Sequence, residues 1–455
     1  MKPDHRTENG TAGGPTMPTQ NLGRRTFLKK SLAGVFGAGL SEKAARGGAG
    51  EPAPRRTAET PPKIREYRTL GRTGFKVSDI AAGFIQDDGV IAAALDAGVN
   101  YIDTAEQYPG HHRTVAKAIA GRDRKAIFLA TKLEVLEDKS KEGFIKRARK
   151  CLEELKTDYV DCLMMHCPEK AALLKTEGFH EAMRELKAEG RVRFTGVSHH
   201  GSFWYRDPEE TMEAVLGAAA EDGRFDVFLL AYNFLQMDQG DRILGLCREK
   251  RIGTALMKTT PVAIYDLMKA RVEEIEKQGK TASEFQLEGL RRYKDKFDKA
   301  QEFIKARNLR NPEEIKAAAI RFCLGNPDVH TVCFIARNYE EMHSFVQISG
   351  TRLDGKDEDR LSGYRQGCGG LYCRHACGLC EPSCPHGVPV NTIARYLQYS
   401  AGQGREREAM AYYSEIPGAK ADACRDCPAP CEQACPYGVP VQGLLLLADR
   451  QLTPP

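Results

Sequence analysis

Eight short segments of β-branched and apolar residues recur between residues 67 and 350, and amphipathic stretches of roughly ten or more residues separate them. Such segments predict strands, and the stretches between them predict helices. Eight strand–helix units over ~280 residues match the usual size of a (β/α)8 TIM barrel. We therefore predict an α/β fold of this type. An open doubly wound sheet is the alternative, but no G-x-G-x-x-G turn follows the first strand.

The barrel is expected to span residues 63–352, and a long charged segment at residues 264–310 predicts a solvated helical insertion before the last strand. The clearest predicted helices are Ile91–Ala97, Lys141–Leu155 and Phe179–Ala188. The predicted strands are Asp79–Gly83, Tyr101–Thr104, Ile127–Lys132, Val160–His166, Val192–Val197, Val227–Tyr232, Thr254–Lys258 and Thr331–Ile335.

Composition excludes several classes of protein. With 455 residues, 41% hydrophobic and 28% charged, the chain is neither collagen-like nor wholly disordered, and it is long enough for more than one domain. The net charge of +5 is small for this length, so we expect no nucleic-acid partner. Cysteine is the outlier, because nine of the fifteen lie between residues 368 and 435.

Residues 1–62 are expected to form a leader and a linker. Arg24 and Arg25 precede Thr26, Phe27 and a short, mildly apolar run with glycines, a pattern that resembles a twin-arginine export signal. The apolar run from Ser31 to Leu40 is far shorter than the ~20 residues of a membrane-spanning helix. We therefore expect export to the periplasm and no transmembrane span in the mature chain.

Four polar side chains stand where predicted strands end. Asp103 and Tyr108 follow the second strand, Lys132 closes the third and His166 closes the fourth. The carboxyl ends of parallel barrel strands meet at one rim, so we expect these side chains to lie close together. Together they resemble the catalytic tetrad of the aldo-keto reductase family.

Other segments carry the same resemblance, which covers about 280 residues and implies hydride transfer between a nicotinamide coenzyme and a small-molecule carbonyl or alcohol. The matching segments are Leu70–Ser78, Thr195–Ser198, Tyr232–Asn233 and Leu324–Val329.

Carbonyl reduction leaves negative charge on oxygen and so requires a proton donor. A phenol, with a pKa of ~10, donates near neutrality only if a cation stabilises the phenolate. We expect Tyr108 to be the donor, Lys132 the cation, Asp103 the residue that holds the lysine, and His166 the residue that donates to or orients the carbonyl oxygen.

The resemblance also implies NADP(H) extended across the rim. Two positions depart from the family pattern: His199 replaces an Asn, and Leu229 replaces a Gln. Arg337 is expected to contact the 2′-phosphate. The residues expected to bind the coenzyme are Gly83, Ser198, His199, Tyr232, Asn233, Lys258 and Arg337.

Residues 353–455 carry two copies of one cysteine motif, 51 residues apart and each ending in Cys-Pro. This spacing is typical of ferredoxin-like [4Fe-4S] sites, in which each iron takes one thiolate, and eight ligands imply two clusters. Zinc and disulfides are the alternatives. Which cysteine binds which cluster stays open, because two-cluster ferredoxins often exchange the fourth ligand. The candidate ligands are Cys373, Cys377, Cys380, Cys384, Cys424, Cys427, Cys431 and Cys435.

These features predict an exported, aldo-keto reductase-like oxidoreductase with a small, mainly helical ferredoxin-like domain at its C-terminus. The alternative is an iron–sulfur electron-transfer protein whose barrel is a docking scaffold for a partner protein.

Overall fold

Eight parallel strands close on themselves to form the barrel that the sequence predicts. The computed structural model describes residues 61–201, 209–261, 277, 296, 298–309 and 311–454, without the side chains of residues 401–403. The barrel strands are β3 Ile80–Ala82, β4 Tyr101–Asp103, β5 Phe128–Leu133, β6 Val160–His166, β7 Val192–His199, β8 Val227–Ala231, β9 Gly253–Met257 and β10 Thr331–Phe334. They pair in chain order, and β10 closes the ring between β9 and β3.

The strand bounds follow the hydrophobic runs closely because both faces of a barrel strand are covered. β6 spans the predicted residues 160–166, and every residue in it is buried. β7 continues two residues past the predicted Val197, because Ser198 and His199 still pair with Leu229 and Leu230 of β8.

Helices on the outside of the barrel begin at capping residues. Helix Lys141–Leu155 has the predicted bounds, and the Ser140 hydroxyl accepts a hydrogen bond from Gly143 N at 3.1 Å. The first helix begins at Asp88 rather than Ile91, because Asp87 caps it through Val90 N. The barrel helices are α1 Asp88–Asp96, α2 His111–Ile119, α3 Lys141–Leu155, α4 Glu177–Ala188, α5 Met212–Asp222, α6 Met237–Lys250, α7 Pro312–Gly325 and α8 Tyr339–Val346.

A hairpin of β1 Tyr67–Thr69 and β2 Lys76–Ser78 was not predicted, because three-residue strands leave almost no periodic signal. It closes the amino end of the barrel. Leu70 and Val77 are fully buried in one cluster with Tyr101 and Phe128 of the barrel interior. Tyr101 and Phe128 stack with ring centres 5.2 Å apart.

The C-terminal region is mainly helical, as predicted, and residues 60–455 form one compact unit. Its helices are α9 Gly355–Cys368, α10 Val390–Gln403, α11 Glu406–Glu415, α12 Pro430–Gln433 and α13 Val441–Leu452. α10 and α13 begin 51 residues apart, in step with the sequence repeat. Apolar residues of these helices, including Ile393 and Leu445, form a second core.

Two predictions lie outside the described residues: the leader at Arg24 and Arg25, and most of the insertion at residues 264–310. Across the described ranges, none of the helices combines the length and apolar character that crossing a bilayer requires.

A pair of glycines tests how the hairpin fits the barrel. Both Gly71 (φ +47°) and Gly74 (φ +71°) are left-handed, but a Cβ on Gly71 would stand 2.3 Å from Gly253 N, whereas one on Gly74 would meet nothing within 4 Å. Gly74→Ala should lower the free energy of unfolding by about 1 kcal/mol through backbone strain alone. Gly71→Ala should cost roughly 2 kcal/mol more through overpacking. Urea unfolding measures both, and equal losses would contradict the packing.

Candidate active site

The carboxyl ends of the barrel strands form a rim, here called the barrel mouth, and the four predicted catalytic side chains meet there. Asp103 ends β4, Lys132 lies one residue before the end of β5, and His166 ends β6. Tyr108 follows β4 in a turn whose Tyr108 N donates to Ala105 O at 3.1 Å. The parallel register therefore brings together side chains that are up to 63 residues apart in sequence, from 103 to 166.

Lys132 is the most constrained of the four. Its Nζ donates to Asp103 Oδ2 at 2.6 Å and to the Thr104 carbonyl oxygen at 2.8 Å, and the residue is only 1% exposed. A buried ammonium needs such a carboxylate partner, because transfer from water without one is costly. Asp103 therefore holds the lysine in place, as expected from the sequence.

Tyr108 packs directly beside this pair. Lys132 Nζ lies 5.1 Å from the centre of the Tyr108 ring. Phe84 and His166 contact the same ring, at 4.7 and 6.0 Å between ring centres. The phenol is thus fixed between an ammonium and two aromatic rings.

The electrostatic surroundings of Tyr108 keep its proton on the phenol. Burial raises the pKa of Tyr108 well above its usual value, and Asp103 and Cys167 act in the same direction. Arg405 of the C-terminal region opposes them. The sequence named Lys132 as the cation for this phenol, and the structure adds Arg405, which no motif marks.

His166 is neutral, and its protonated nitrogen can be identified. Burial, and then Lys132, lower the pKa of His166 well below its usual value. Its Nδ1 lies 2.7 Å from Gln107 Oε1, while the amide nitrogen of Gln107 donates to Glu106 Oε1 at 3.3 Å. Nδ1 therefore carries the hydrogen, and Nε2 of the neutral ring carries a lone pair. In this tautomer Nε2 can accept a hydrogen bond but cannot donate one.

The residues expected to hold the nicotinamide are enclosed. Ser198 and Asn233 are fully buried. Ser198 Oγ accepts from Cys167 N at 3.3 Å, and Asn233 Nδ2 donates to the Lys258 carbonyl oxygen at 2.9 Å and to the Tyr372 hydroxyl at 3.2 Å. In this conformation these two side chains do not fit a nicotinamide, because protein atoms surround them.

Three other positions also differ from the expected coenzyme site. His199 is fully buried, and burial lowers its pKa to about 3, with a smaller effect from Arg395. The Tyr232 hydroxyl donates to Asp241 of α6, so this side chain lies among the outer helices. A Cβ at Gly83 would stand 2.8 Å from the Phe334 carbonyl oxygen. None of these three contacts the Tyr108–Lys132 pair in the described contacts.

The last two residues expected to bind the coenzyme are Arg337 and Lys258, and they differ in solvent exposure. The Arg337 side chain is 85% exposed and pairs with Glu341 at 2.6 Å. Lys258 sits at the mouth just beyond β9, and its Nζ is buried. The structure does not bring these two residues together.

Residues 372–376, here called the covering segment, lie against the mouth. His375 N donates to Gln236 Oε1 at 2.9 Å, and Gln236 Nε2 donates back to the His375 carbonyl oxygen at 2.7 Å. Arg374 Nε donates to the Leu235 carbonyl oxygen at 3.1 Å. The cysteine-rich region therefore covers the barrel mouth. This contact was not predicted from the sequence.

Helix α10 completes this cover with a buried ion pair. Arg395 lies 3.2 Å from Glu209, and both side chains are almost fully buried. Arg395 Nη1 also donates to the His200 carbonyl oxygen at 3.3 Å.

The eight candidate ligand cysteines form two groups that cross between the motifs. Cys373, Cys377 and Cys380 of the first motif line one pocket together with Cys435 of the second. Burial raises the pKa of Cys424 to about 12, and its nearest charged neighbours include Cys384 of the first motif. The groups are thus Cys373, Cys377, Cys380 and Cys435, and Cys384, Cys424, Cys427 and Cys431.

Each of the two cysteine groups has an equivalent hydrogen bond between a nearby glutamate and the start of a helix. Glu381 Oε1 accepts from Asn391 N at 2.8 Å at the start of α10, and Glu432 Oε2 accepts from Gln442 N at 3.1 Å at the start of α13. All fifteen cysteines are free thiols. Within the described ranges, no three His, Cys, Asp or Glu side chains converge as ligands of a single metal ion.

A closed parallel barrel with an acid–base group at its carboxyl end defines a TIM-barrel enzyme. The family model described as "Aldo/keto reductase family" matches residues 85–364, more than half of the chain. The chain is 24% identical to aldo-keto reductase YhdN of Bacillus subtilis over 331 residues, 65% of this chain and 92% of that protein. It is 35% identical to methylglyoxal reductase DkgB of Salmonella typhi over 120 residues, 25% of this chain and 44% of that protein.

The solved structures that are similar to part of this chain include two aldo-keto reductases. Aldo-keto reductase AKR11C1 from Bacillus halodurans has a TM-score of 0.48 at 21% identity, and the match covers 65% of this chain and 95% of that one. An aldo/keto reductase from Klebsiella pneumoniae, solved with NADP and acetate, has a TM-score of 0.47 at 19% identity over 67% of this chain and 96% of that one.

On the family model, the chain belongs to the aldo/keto reductase family. It is an oxidoreductase of this NAD(P)H-dependent family.

The His166 tautomer gives a direct test of the site. Gln107→Leu removes the acceptor of the Nδ1 hydrogen, so the population with hydrogen on Nε2 should rise. Imidazole ¹⁵N chemical shifts report the two tautomers. Identical His166 shifts in the wild type and the variant would contradict the assigned hydrogen bond.

Proposed function

We propose that the protein reduces a carbonyl group, or oxidises the corresponding alcohol, at Tyr108. The contact of Tyr108 with the buried Lys132–Asp103 pair carries this proposal. The substrate is a small molecule, because a small-molecule carbonyl compound fits the aldo/keto reductase family.

In the proposed reaction, the side chains of the protein transfer one proton to or from the substrate oxygen. In reduction, Tyr108 donates its hydroxyl hydrogen to the oxygen that gains negative charge, and in oxidation the phenolate takes the proton back. Lys132 lowers the cost of the phenolate by its positive charge, and Asp103 keeps the lysine charged and oriented. His166 packs on the Tyr108 ring, with ring centres 6.0 Å apart, and so helps to fix the phenol.

We assign NADP(H) as the coenzyme because the family is NAD(P)H-dependent. When bound, a reduced nicotinamide supplies the hydride. The covering segment would have to leave Asn233 before a nicotinamide could lie against Ser198. Coenzyme binding is therefore expected to be slow, limited by this opening.

Tyr108→Phe should reduce carbonyl turnover with NADPH by at least ~100-fold, because the proton donor is lost. NADPH affinity should change by no more than about twofold. Tyr101→Phe is the matched control, because its hydroxyl is buried in the barrel interior without a hydrogen-bond partner in the described residues. Steady-state kinetics with a generic aldehyde checks both. Full turnover by Tyr108→Phe would remove Tyr108 from this role.

The same proposal assigns two [4Fe-4S] clusters to the C-terminal domain. Two crossed groups of four thiols support this, because each iron of a cube takes one thiolate. A zinc site would need four sulfurs around one centre. A bound cluster supplies one-electron transfer, and an electron-transfer protein is the partner expected to use it.

One observation favours the second candidate, an electron-transfer protein. Leu379, between Cys377 and Cys380, is 49% exposed and offers an apolar contact beside one group of thiols. The Tyr108→Phe variant separates the two candidates, because an electron carrier would keep its activity.

Double variants test the crossed ligand sets. Cys380→Ser with Cys435→Ser removes two ligands of one site and should leave about four irons per chain. Cys380→Ser with Cys384→Ser removes one ligand from each site and should lower iron below that value. Cys333→Ser, in the barrel, is the control. Iron and sulfide analysis of protein purified without oxygen measures each case. If Cys380→Ser with Cys384→Ser kept more iron than Cys380→Ser with Cys435→Ser, each site would instead take its four ligands from one motif.

Export through the twin-arginine pathway to the periplasm is also part of this proposal, and the paired residues Arg24 and Arg25 support it. Replacing both with lysine should retain the protein in the cytoplasm, and cell fractionation measures this. Unchanged periplasmic protein in that variant would exclude the pathway.

A further inference from the structure

Lys258 is a buried cation without an anion. Its Nζ is shielded from solvent and makes no hydrogen bond with any described residue. Its backbone is left-handed, with φ +56°, a conformation that lysine rarely adopts and that is common at functional sites. An unpaired buried ammonium costs several kcal/mol unless a ligand or loss of the proton relieves it.

The neighbours of Lys258 are other cations and neutral groups. Its Nζ lies 4.5 Å from the Tyr399 ring centre, and Arg405 lies 5.0 Å from the same centre. Arg405 is neutralised by Glu408, and Arg395 by Glu209. Burial lowers the pKa of Lys258 well below its usual value, and both arginines add to this effect. Both arginines thus have carboxylate partners, whereas the Lys258 amino group has none among the described residues, and a bound anion would favour its charged form.

A second polar side chain, that of His375, lies near Lys258. His375 is 2% exposed, and its Nε2 makes no hydrogen bond with any described residue. Lys258 acts on His375 electrostatically. Two unsatisfied polar groups, one from the barrel and one from the covering segment, thus lie close enough to interact.

A series of contacts through Tyr399, Arg405 and Phe84 connects Lys258 to Tyr108. Arg405 and Cys167 influence both Tyr108 and Lys258. Arg405 also lies 5.8 Å from the ring centre of Phe84, which packs on Tyr108.

We propose that Lys258, with His375, binds the carboxylate of a carbonyl substrate whose reacting oxygen lies at Tyr108. The substrate class is therefore a small aldehyde or ketone that carries one carboxylate, because a bound carboxylate would supply the partner that the Lys258 amino group lacks among the described residues. The reduction of this substrate rests on the proposed function. The binding of its carboxylate by Lys258 and His375 does not.

Two pairs of aldehydes test the substrate class in turnover with NADPH. Glyoxylate is compared with acetaldehyde, and succinic semialdehyde with butanal, so that each pair differs by a carboxylate. The wild type should favour at least one acid by tenfold or more in kcat/KM, and Lys258→Met should lose that preference. Lys125→Met, far from the mouth, should retain it. An equal fall for acid and neutral aldehydes in Lys258→Met, or no preference in the wild type, would overturn the proposal.

Binding measured without turnover separates this inference from the reaction. Calorimetry of the wild type should detect butyrate and not butyramide, and Lys258→Met or Lys258→Gln should weaken butyrate at least tenfold. This result would stand even if no aldehyde were reduced. A loss of NADPH binding with unchanged butyrate binding would assign Lys258 to a coenzyme phosphate and overturn the proposal.

Discussion

The contact between the cysteine-rich domain and the barrel mouth determines what the catalytic side chains experience. Arg395 and Glu209 are a buried ion pair across this contact, and His375 and Gln236 exchange two hydrogen bonds beside it. Removing one partner of a buried pair leaves an uncompensated charge and is strongly destabilising. The two domains therefore form one structural unit, and Tyr108 lies beneath their interface.

Enclosure has an electrostatic consequence. Charges in a water-poor space interact more strongly than at a surface, so the placement of each cation matters. Lys132 pairs with Asp103, Arg395 with Glu209 and Arg405 with Glu408, but Lys258 Nζ has no such partner among the described residues. The proposed proton donor and an amino group without a carboxylate partner thus lie at the same mouth, and the proposal of an anionic carbonyl substrate rests on this arrangement.

The barrel and the placement of its candidate catalytic side chains could be predicted from the sequence because their signals are local. A strand buried on both faces is a continuous apolar run, as at residues 160–166, and the polar residue that ends the run marks the rim. The hairpin at residues 67–78 could not be predicted, because its strands are too short for any periodicity. The cover over the mouth could not be predicted either. Tyr372, Arg395 and Arg405 belong to no barrel motif, and their positions depend on how the C-terminal helices pack against the barrel.

The most direct test of the enclosed mouth is hydrogen–deuterium exchange of the full chain, wild type against Arg395→Met. This variant leaves Glu209 as an uncompensated buried charge. If the cover depends on that pair, exchange should accelerate at residues 233–236 and 372–376 and stay unchanged in β4 and β5. Unchanged exchange at residues 233–236 would show that the C-terminal domain does not close the barrel mouth.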